Sequence, residues 1–169
     1  VIGYGAMAQY VLANLPSDLS LGYLLVKPEK VEQTQDIVGD SVQVIGSVAQ
    51  LKGKPDLVVE MAGQAGLKQH LLDVLALGLD VGVISVGAFA DSDFEAKVKQ
   101  SALENQCKVH VLAGAVAGMD GLAAAKITGL DQVIYQGQKP PQGWQGSHAE
   151  SLIDLDNIEE ATTFFKGTA

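Results

Sequence analysis

The sequence predicts an α/β fold: a doubly wound parallel sheet, followed by the start of a second α/β unit with an open mixed sheet. Three observations carry that prediction. Short apolar runs alternate with helical periods six times between residues 1 and 112, and such alternation calls for crossover connections and hence parallel strands. A Gly-x-Gly-x-x-Ala turn, from Gly3 to Ala8, stands at the first strand-to-helix junction. The turns after the first, fourth, fifth and sixth strands are each rich in glycine and alanine. In a parallel sheet all four lie on one edge, the edge where ligands bind.

Val1 and Ile2 are the apolar residues in front of the glycine turn, fewer than the roughly 5–6 of an average strand. The expectation is that the chain begins partway through strand one. Met7, Ala8, Val11, Leu12 and Leu15 then recur on one helical face, and Pro16-Ser17-Asp18 should end the helix. Residues 21–26 read as strand two, 31–38 as a short helix, 42–45 as strand three and 47–51 as a short helical segment. After the turn Lys54-Pro55-Asp56, residues 56–60 form strand four, 61–66 a small-residue turn and 67–77 a helix. Residues 81–86 are strand five, and Asp91 or Ser92 should cap a helix running through Asn105. Residues 108–112 are strand six. Beyond them, 129–136 read as a strand, 139–146 as a Pro/Gly-rich loop bearing Trp144, and 156–165 as helical or turn-like, with Ile158 and Ala161 or Thr162 on one face. The expected domains are 1–113 and 114–169, the second too short to complete its own core.

The glycine turn has the form of a dinucleotide fingerprint, and each small residue has a mechanical reason. Gly3 permits the tight turn, Gly5 lets backbone approach a pyrophosphate, and Ala8 lets the helix lie close to the strand. Lys27 follows strand two directly, with Glu29 two residues on. A carboxylate there suits the ribose hydroxyls of NAD, and a basic residue tolerates the 2′-phosphate of NADP. Lys27 therefore leaves both NAD and NADP open, and a plain solvated loop as well.

Composition excludes other classes. Of the 169 residues 47% are hydrophobic and 18% charged, with a net charge of −9; intrinsic disorder and a nucleic-acid-binding surface are both out of character. The two expected domains carry −5 and −4, so neither is a basic arm. All 11 basic residues are lysine, which denies the chain the guanidinium fork that grips carboxylates and phosphates. The single cysteine, Cys107, allows no internal disulfide and no cysteine zinc cluster. No apolar run reaches the length of a membrane helix and the start lacks a basic leader region, so the expected location is cytoplasmic. No metal is expected.

Several segments together resemble L-aspartate dehydrogenases. They are Val59-Glu60-Met61-Ala62-Gly63, Ser85 to Asp91, and Ala113 to Leu122. Val133-Ile134-Tyr135 with Lys139-Pro140-Pro141 and Trp144 belongs with them, as does Phe165-Lys166-Gly167-Thr168-Ala169. The resemblance implies an enzyme that oxidises L-aspartate with NAD or NADP by hydride transfer from Cα to nicotinamide. The product is iminosuccinate, which hydrolyses to oxaloacetate and ammonia or feeds NAD biosynthesis. It implies a homodimer and a small-molecule substrate, and it implies cofactor contacts at Gly3, Gly5, Ala6, Met7, Ala62, Gly63, Gln64, Ser85, Gly87 and Ala115. Lys27 joins them through its place after strand two.

One departure is pronounced: the family's catalytic histidine is expected beyond residue 169, so no catalytic residue is assigned. His70 and His110 read as structural, and His148 is the histidine freest to reach a cleft. Lys139 is either a ligand for a substrate carboxylate or a solvent-facing lysine. Two alternatives stay open: a related oxidoreductase such as a homoserine dehydrogenase or a dihydrodipicolinate reductase, and a non-catalytic nucleotide-binding module.

Overall fold

The computed structural model describes residues 1–114 and 118–167 and divides into two compact units, Val1–Ala117 and Gly118–Ala169. In the first unit the strands are β1 (Tyr23–Leu25), β2 (Gln43–Ile45), β3 (Val58–Glu60), β4 (Val81–Val83) and β5 (Val109–Val111). The helices are α1 (Ala6–Ala13), α2 (Val31–Val38), α3 (Gly63–Ala76) and α4 (Ser92–Glu104). β1 pairs with β2, and β3 with β4 and β4 with β5, all parallel. Ile2 joins the two halves through parallel bridges to Leu25 and to Glu60. Numbering the Ile2 segment as strand one, the order across the sheet is 3-2-1-4-5-6. This is the doubly wound arrangement, with its switch point between Ile2 and β3.

Strand periodicity explains the two layers. Leu24, Val26 and Val44 gather in one buried cluster, while their neighbours Ile2, Leu25 and Ile45 enter another with Val58, Val81 and Val83. Successive residues point to opposite faces, so apolar runs such as 24–26 bury on both sides, as strands covered by helices on two faces require. On α3, Leu67, Leu71, Val74 and Leu75 are buried at helical spacing, and on α4 Phe94 and Val98 are. Each fully buried leucine contributes roughly 1.5–3 kcal/mol by leaving water. α1 is held more lightly: Ala8 is its buried residue, and Met7, Tyr10 and Val11 are exposed.

The strands are shorter than in the sequence reading, and several boundaries differ. α1 stops at Ala13, before the proline, because the Asn14 N–H turns back to the Val11 carbonyl. α3 starts at Gly63 rather than residue 67, since Gly63 takes a φ of +81° that swings the chain straight into the helix. The turn after β4 is a 3-10 segment, Val86–Ala90.

The second unit contains α5 (Met119–Thr128) and three 3-10 segments, Pro141–Trp144, His148–Ser151 and Leu155–Asn157. Trp144 meets Phe164 edge to face at 5.0 Å, and Lys139 lies over the indole at 4.7 Å. The strand expected at 129–136 is not formed. Its Val133, Ile134 and Tyr135 are exposed, and without a ladder partner among the described residues an extended run has no use for its β-propensity. The segment expected to be helical or turn-like after 156 is a turn at Leu155–Asn157 followed by irregular chain.

Candidate functional site

The glycine-rich turns after Ile2, β3 and β4 assemble at the carboxyl ends of the parallel strands, around the switch point. Gly3 has φ +94° and donates its N–H to the Leu25 carbonyl at 2.8 Å. A Cβ there would meet the Met61 carbonyl oxygen at 2.7 Å and Ala62 Cα at 2.8 Å, so the first turn packs directly on the turn after β3. Gly5 is the N-cap of α1 in extended conformation and faces open space, with nothing within 4 Å of a built Cβ. No side chain caps α1, and no acidic residue lies in its first turn. Its leading N–H groups, with Ala6 and Met7 exposed, form an open, positively polarised cradle. That cradle fits the pyrophosphate of a dinucleotide.

Lys27 is exposed at the end of β1, where its carbonyl accepts the Lys30 N–H at 2.8 Å and opens the 3-10 segment Pro28–Lys30. Lys30 Nζ is engaged with Gln33 Oε1 at 3.3 Å.

Beneath the turns after β3 and β4 lies Glu60, with 0% exposure. Its Oε1 accepts the Ala62 N–H at 2.7 Å and the Ser85 hydroxyl at 2.8 Å, and its Oε2 accepts the Ser85 N–H at 3.0 Å. Three donors on two oxygens satisfy a buried carboxylate that would otherwise be very costly to desolvate. Above it, Gln64 reaches across to Gly87, where a Cβ would meet Gln64 Nε2 at 2.5 Å. Ala62, Gly63, Gln64, Ser85 and Gly87 are thus neighbours on one edge, tied through Glu60. Ala115 lies outside the described residues. Glu60 was not among the expected site residues. The sequence signals for it were a carboxylate closing strand four and its place in the segment Val59-Glu60-Met61-Ala62-Gly63.

Next to this edge Lys68 Nζ pairs with Asp91 Oδ2 at 2.8 Å and lies 5.6 Å from the Phe94 ring centroid. Asp91 Oδ1 accepts the Phe94 N–H and caps α4. The Lys68 hydrogen bond, then the one from Phe94, holds the Asp91 carboxyl below its usual range.

The histidines stand apart from the glycine edge or outside its unit. Half-buried His70 sits on α3, where burial lowers its pKa against the pull of Asp73. His110, on β5, is 3.9 Å from Asp80. His148, in the second unit, has Nδ1 2.9 Å from Ser151 Oγ. Among the described residues no group of three His, Cys, Asp or Glu side chains could hold a metal ion. The second unit has a groove walled by Glu150, Asp154 and Asp156. Three carboxylates repel a dianion, so we place no aspartate site there.

The family model "Homoserine dehydrogenase, NAD binding domain" matches residues 3–112, and "Aspartate dehydrogenase, C-terminal" matches residues 120–169. An L-aspartate dehydrogenase of Acinetobacter baumannii is 50% identical over 169 residues, all of this chain and 64% of that protein. Through residues 3–112 the chain belongs to the NAD-binding domain family described as that of homoserine dehydrogenase. The relative from Psychrobacter cryohalolentis is 48% identical over 168 residues and that from Serratia proteamaculans 43% over 169, again across 64% of their lengths. The chain therefore spans just under two thirds of the dehydrogenases it matches. The crystal structure of the Thermotoga maritima aspartate dehydrogenase superposes with a TM-score of 0.57 at 23% identity, over 75% of this chain and 49% of that one. That likeness speaks for the fold. Residues 3–112 are accordingly an NAD-binding domain, with NAD or NADP as the cofactor.

Proposed function

We propose that this chain is the cofactor-binding part, with the opening of the catalytic part, of an NAD(P)-dependent L-aspartate dehydrogenase. The observation that carries the reading is the 43–50% identity to L-aspartate dehydrogenases along essentially the whole chain. The open cradle at α1 supports it from the chemistry side. When bound, NAD or NADP supplies the two-electron acceptor for oxidising aspartate to iminosuccinate, which water converts to oxaloacetate and ammonia. The chain's own residues bind and orient. Gly3, Gly5, Ala6 and Met7 receive the pyrophosphate, and Lys27 meets the adenosine ribose or its 2′-phosphate. Ala62, Gly63, Gln64, Ser85 and Gly87 line the nicotinamide-ribose side. Residues 1–113 form the cofactor domain, and 114–169 open the unit that carries substrate and dimer contacts. Among the described residues no helix is long and apolar enough to cross a membrane, and a cytoplasmic homodimer fits the reading.

The test is aspartate-dependent reduction of NAD or NADP, followed by absorbance at about 340 nm, by the gene product that carries this chain. Reduction with aspartate is expected. Reduction with homoserine and none with aspartate would refute the substrate and favour the relative after which the family model of the first domain is named.

A further inference from the structure

We propose that Glu60 is a positioning residue: its buried carboxylate sets the spacing between the two turns on the nicotinamide side of the site and thereby the affinity for that half of the cofactor. The inference rests on the cofactor reading given above.

Glu60 ends β3 at the switch point, bridged in parallel to Ile2. The turn after β3 is attached twice. The Met61 N–H is held by the Ile2 carbonyl at 2.8 Å, a sheet hydrogen bond independent of any side chain. The Ala62 N–H is held by Glu60 Oε1 at 2.7 Å. The turn after β4 is attached to Glu60 through both the N–H and the hydroxyl of Ser85. One rigid, fully buried group therefore spans both turns, reaching Ser85 across a sequence separation of 25. Gln64 and Gly87, which face each other above it, inherit their spacing from that clamp. The Gly3 turn rests instead on the Met61 carbonyl and Ala62 Cα, and Met61 keeps its sheet hydrogen bond whatever stands at position 60. The carboxylate thus acts chiefly on the nicotinamide half, while the Met61 sheet hydrogen bond steadies the pyrophosphate half.

An amide in place of the carboxylate cannot accept at both ends. In Glu60→Gln an NH2 group must face the N–H of either Ala62 or Ser85, and one of the two N–H groups loses its acceptor.

The test compares NADH with ADP-ribose, which lacks the nicotinamide. Dissociation constants are measured on the gene product by fluorescence and calorimetry, with amide hydrogen exchange at residues 62 and 85. Glu60→Gln is expected to raise the NADH dissociation constant about tenfold, to leave that of ADP-ribose within about twofold, and to speed exchange at one of the two amides. Ser85→Ala, which removes only the hydroxyl, should raise the NADH constant about threefold and serves alone if Glu60→Gln does not fold. Equal weakening of both ligands, or no change in either, overturns the proposal while leaving the cofactor reading intact. Wild-type protein that binds neither ligand refutes the cofactor reading and the positioning role with it.

Discussion

Glu60 holds Ser85 by two bonds at once, the backbone N–H on Oε2 at 3.0 Å and the hydroxyl on Oε1 at 2.8 Å. Neither oxygen is left unpaired, and the side chain is wholly out of water. Such a group is a fixed strut: any rotation that improves one contact lengthens another. It joins the ends of β3 and β4, beside the point where a doubly wound sheet opens its ligand crevice.

Stability should report the strut directly. Glu60→Ala removes the acceptor for two N–H groups and a hydroxyl in part-buried bonds, and a donor left unsatisfied away from water costs about 1–3 kcal/mol. A loss of at least about 3 kcal/mol in urea unfolding is expected, against about 1 kcal/mol for Ser85→Ala, which deletes one bond and its own donor together. A Glu60→Ala loss below about 1 kcal/mol would mean that water replaces the carboxylate.

The two glycines of the first turn should separate folding from binding. Gly3 has φ +94°, and an added Cβ meets the Met61 carbonyl oxygen, which is backbone and cannot move aside. Gly3→Ala should cost about 2 kcal/mol or more and abolish NADH binding. Gly5 has an ordinary φ of −78° and empty space before it. Gly5→Ala should change stability by no more than about 0.5 kcal/mol, while its methyl occupies the cradle and weakens NADH at least tenfold. If Gly5→Ala binds NADH normally, the pyrophosphate does not lie against that turn.

The same logic applies at Gly87, where a Cβ would meet Gln64 Nε2 at 2.5 Å. The obstacle is the tip of a flexible, exposed side chain, so Gly87→Ala should leave the melting temperature within about 2 °C. It should still move Gln64 and weaken NADH several-fold, and Gln64→Ala should weaken it similarly. Combined, the two changes should add to less than their sum, because they share one contact. Full additivity in a double-mutant cycle would show that Gln64 and Gly87 act separately.

How far the sequence alone reaches is plain from these residues. The order of strands and helices was legible because apolar periodicity and glycine turns are local signals, and Leu67, Leu71 and Phe94 fall inside as their spacing requires. Gly3 and Gly5 were legible because a fingerprint is a contiguous motif. Glu60 was not. A glutamate at a strand end reads as a solvated terminus, and its burial depends on Ser85, which sequence separation hides. The expected strand at 129–136 failed for a related reason: β-pattern describes one partner only, and pairing is a long-range event.

Lys27 should decide between cofactors. It is exposed at the end of β1, and its neighbour Lys30 is already bonded to Gln33. Lys27→Ala is expected to weaken NADPH about tenfold and NADH less than about twofold, with a shallower salt dependence for NADPH, as loss of a screened phosphate contact requires. Equal effects on both cofactors would place Lys27 outside the 2′-phosphate site.

Acid should loosen α4 first through Asp91. The Asp91 carboxyl is held below its ordinary value of 3.8, chiefly by the Lys68 hydrogen bond and then by the Phe94 N–H that it caps. A carboxyl with a lowered folded-state pKa binds its proton more readily when unfolded. Its stabilisation is complete above about pH 3.8 and is lost as pH falls further, through the folded value. Asp91→Asn should therefore lower the melting temperature at neutral pH, and its difference from wild type should shrink as pH drops below 4. Both partners are more than two-fifths exposed, so added salt should narrow the neutral-pH difference too, while the asparagine oxygen keeps the cap. Lys68→Met should show the salt-sensitive share and none of the capping share. If Asp91→Asn differs from wild type by the same amount at pH 3 and pH 7, the carboxylate's charge has no part in holding α4.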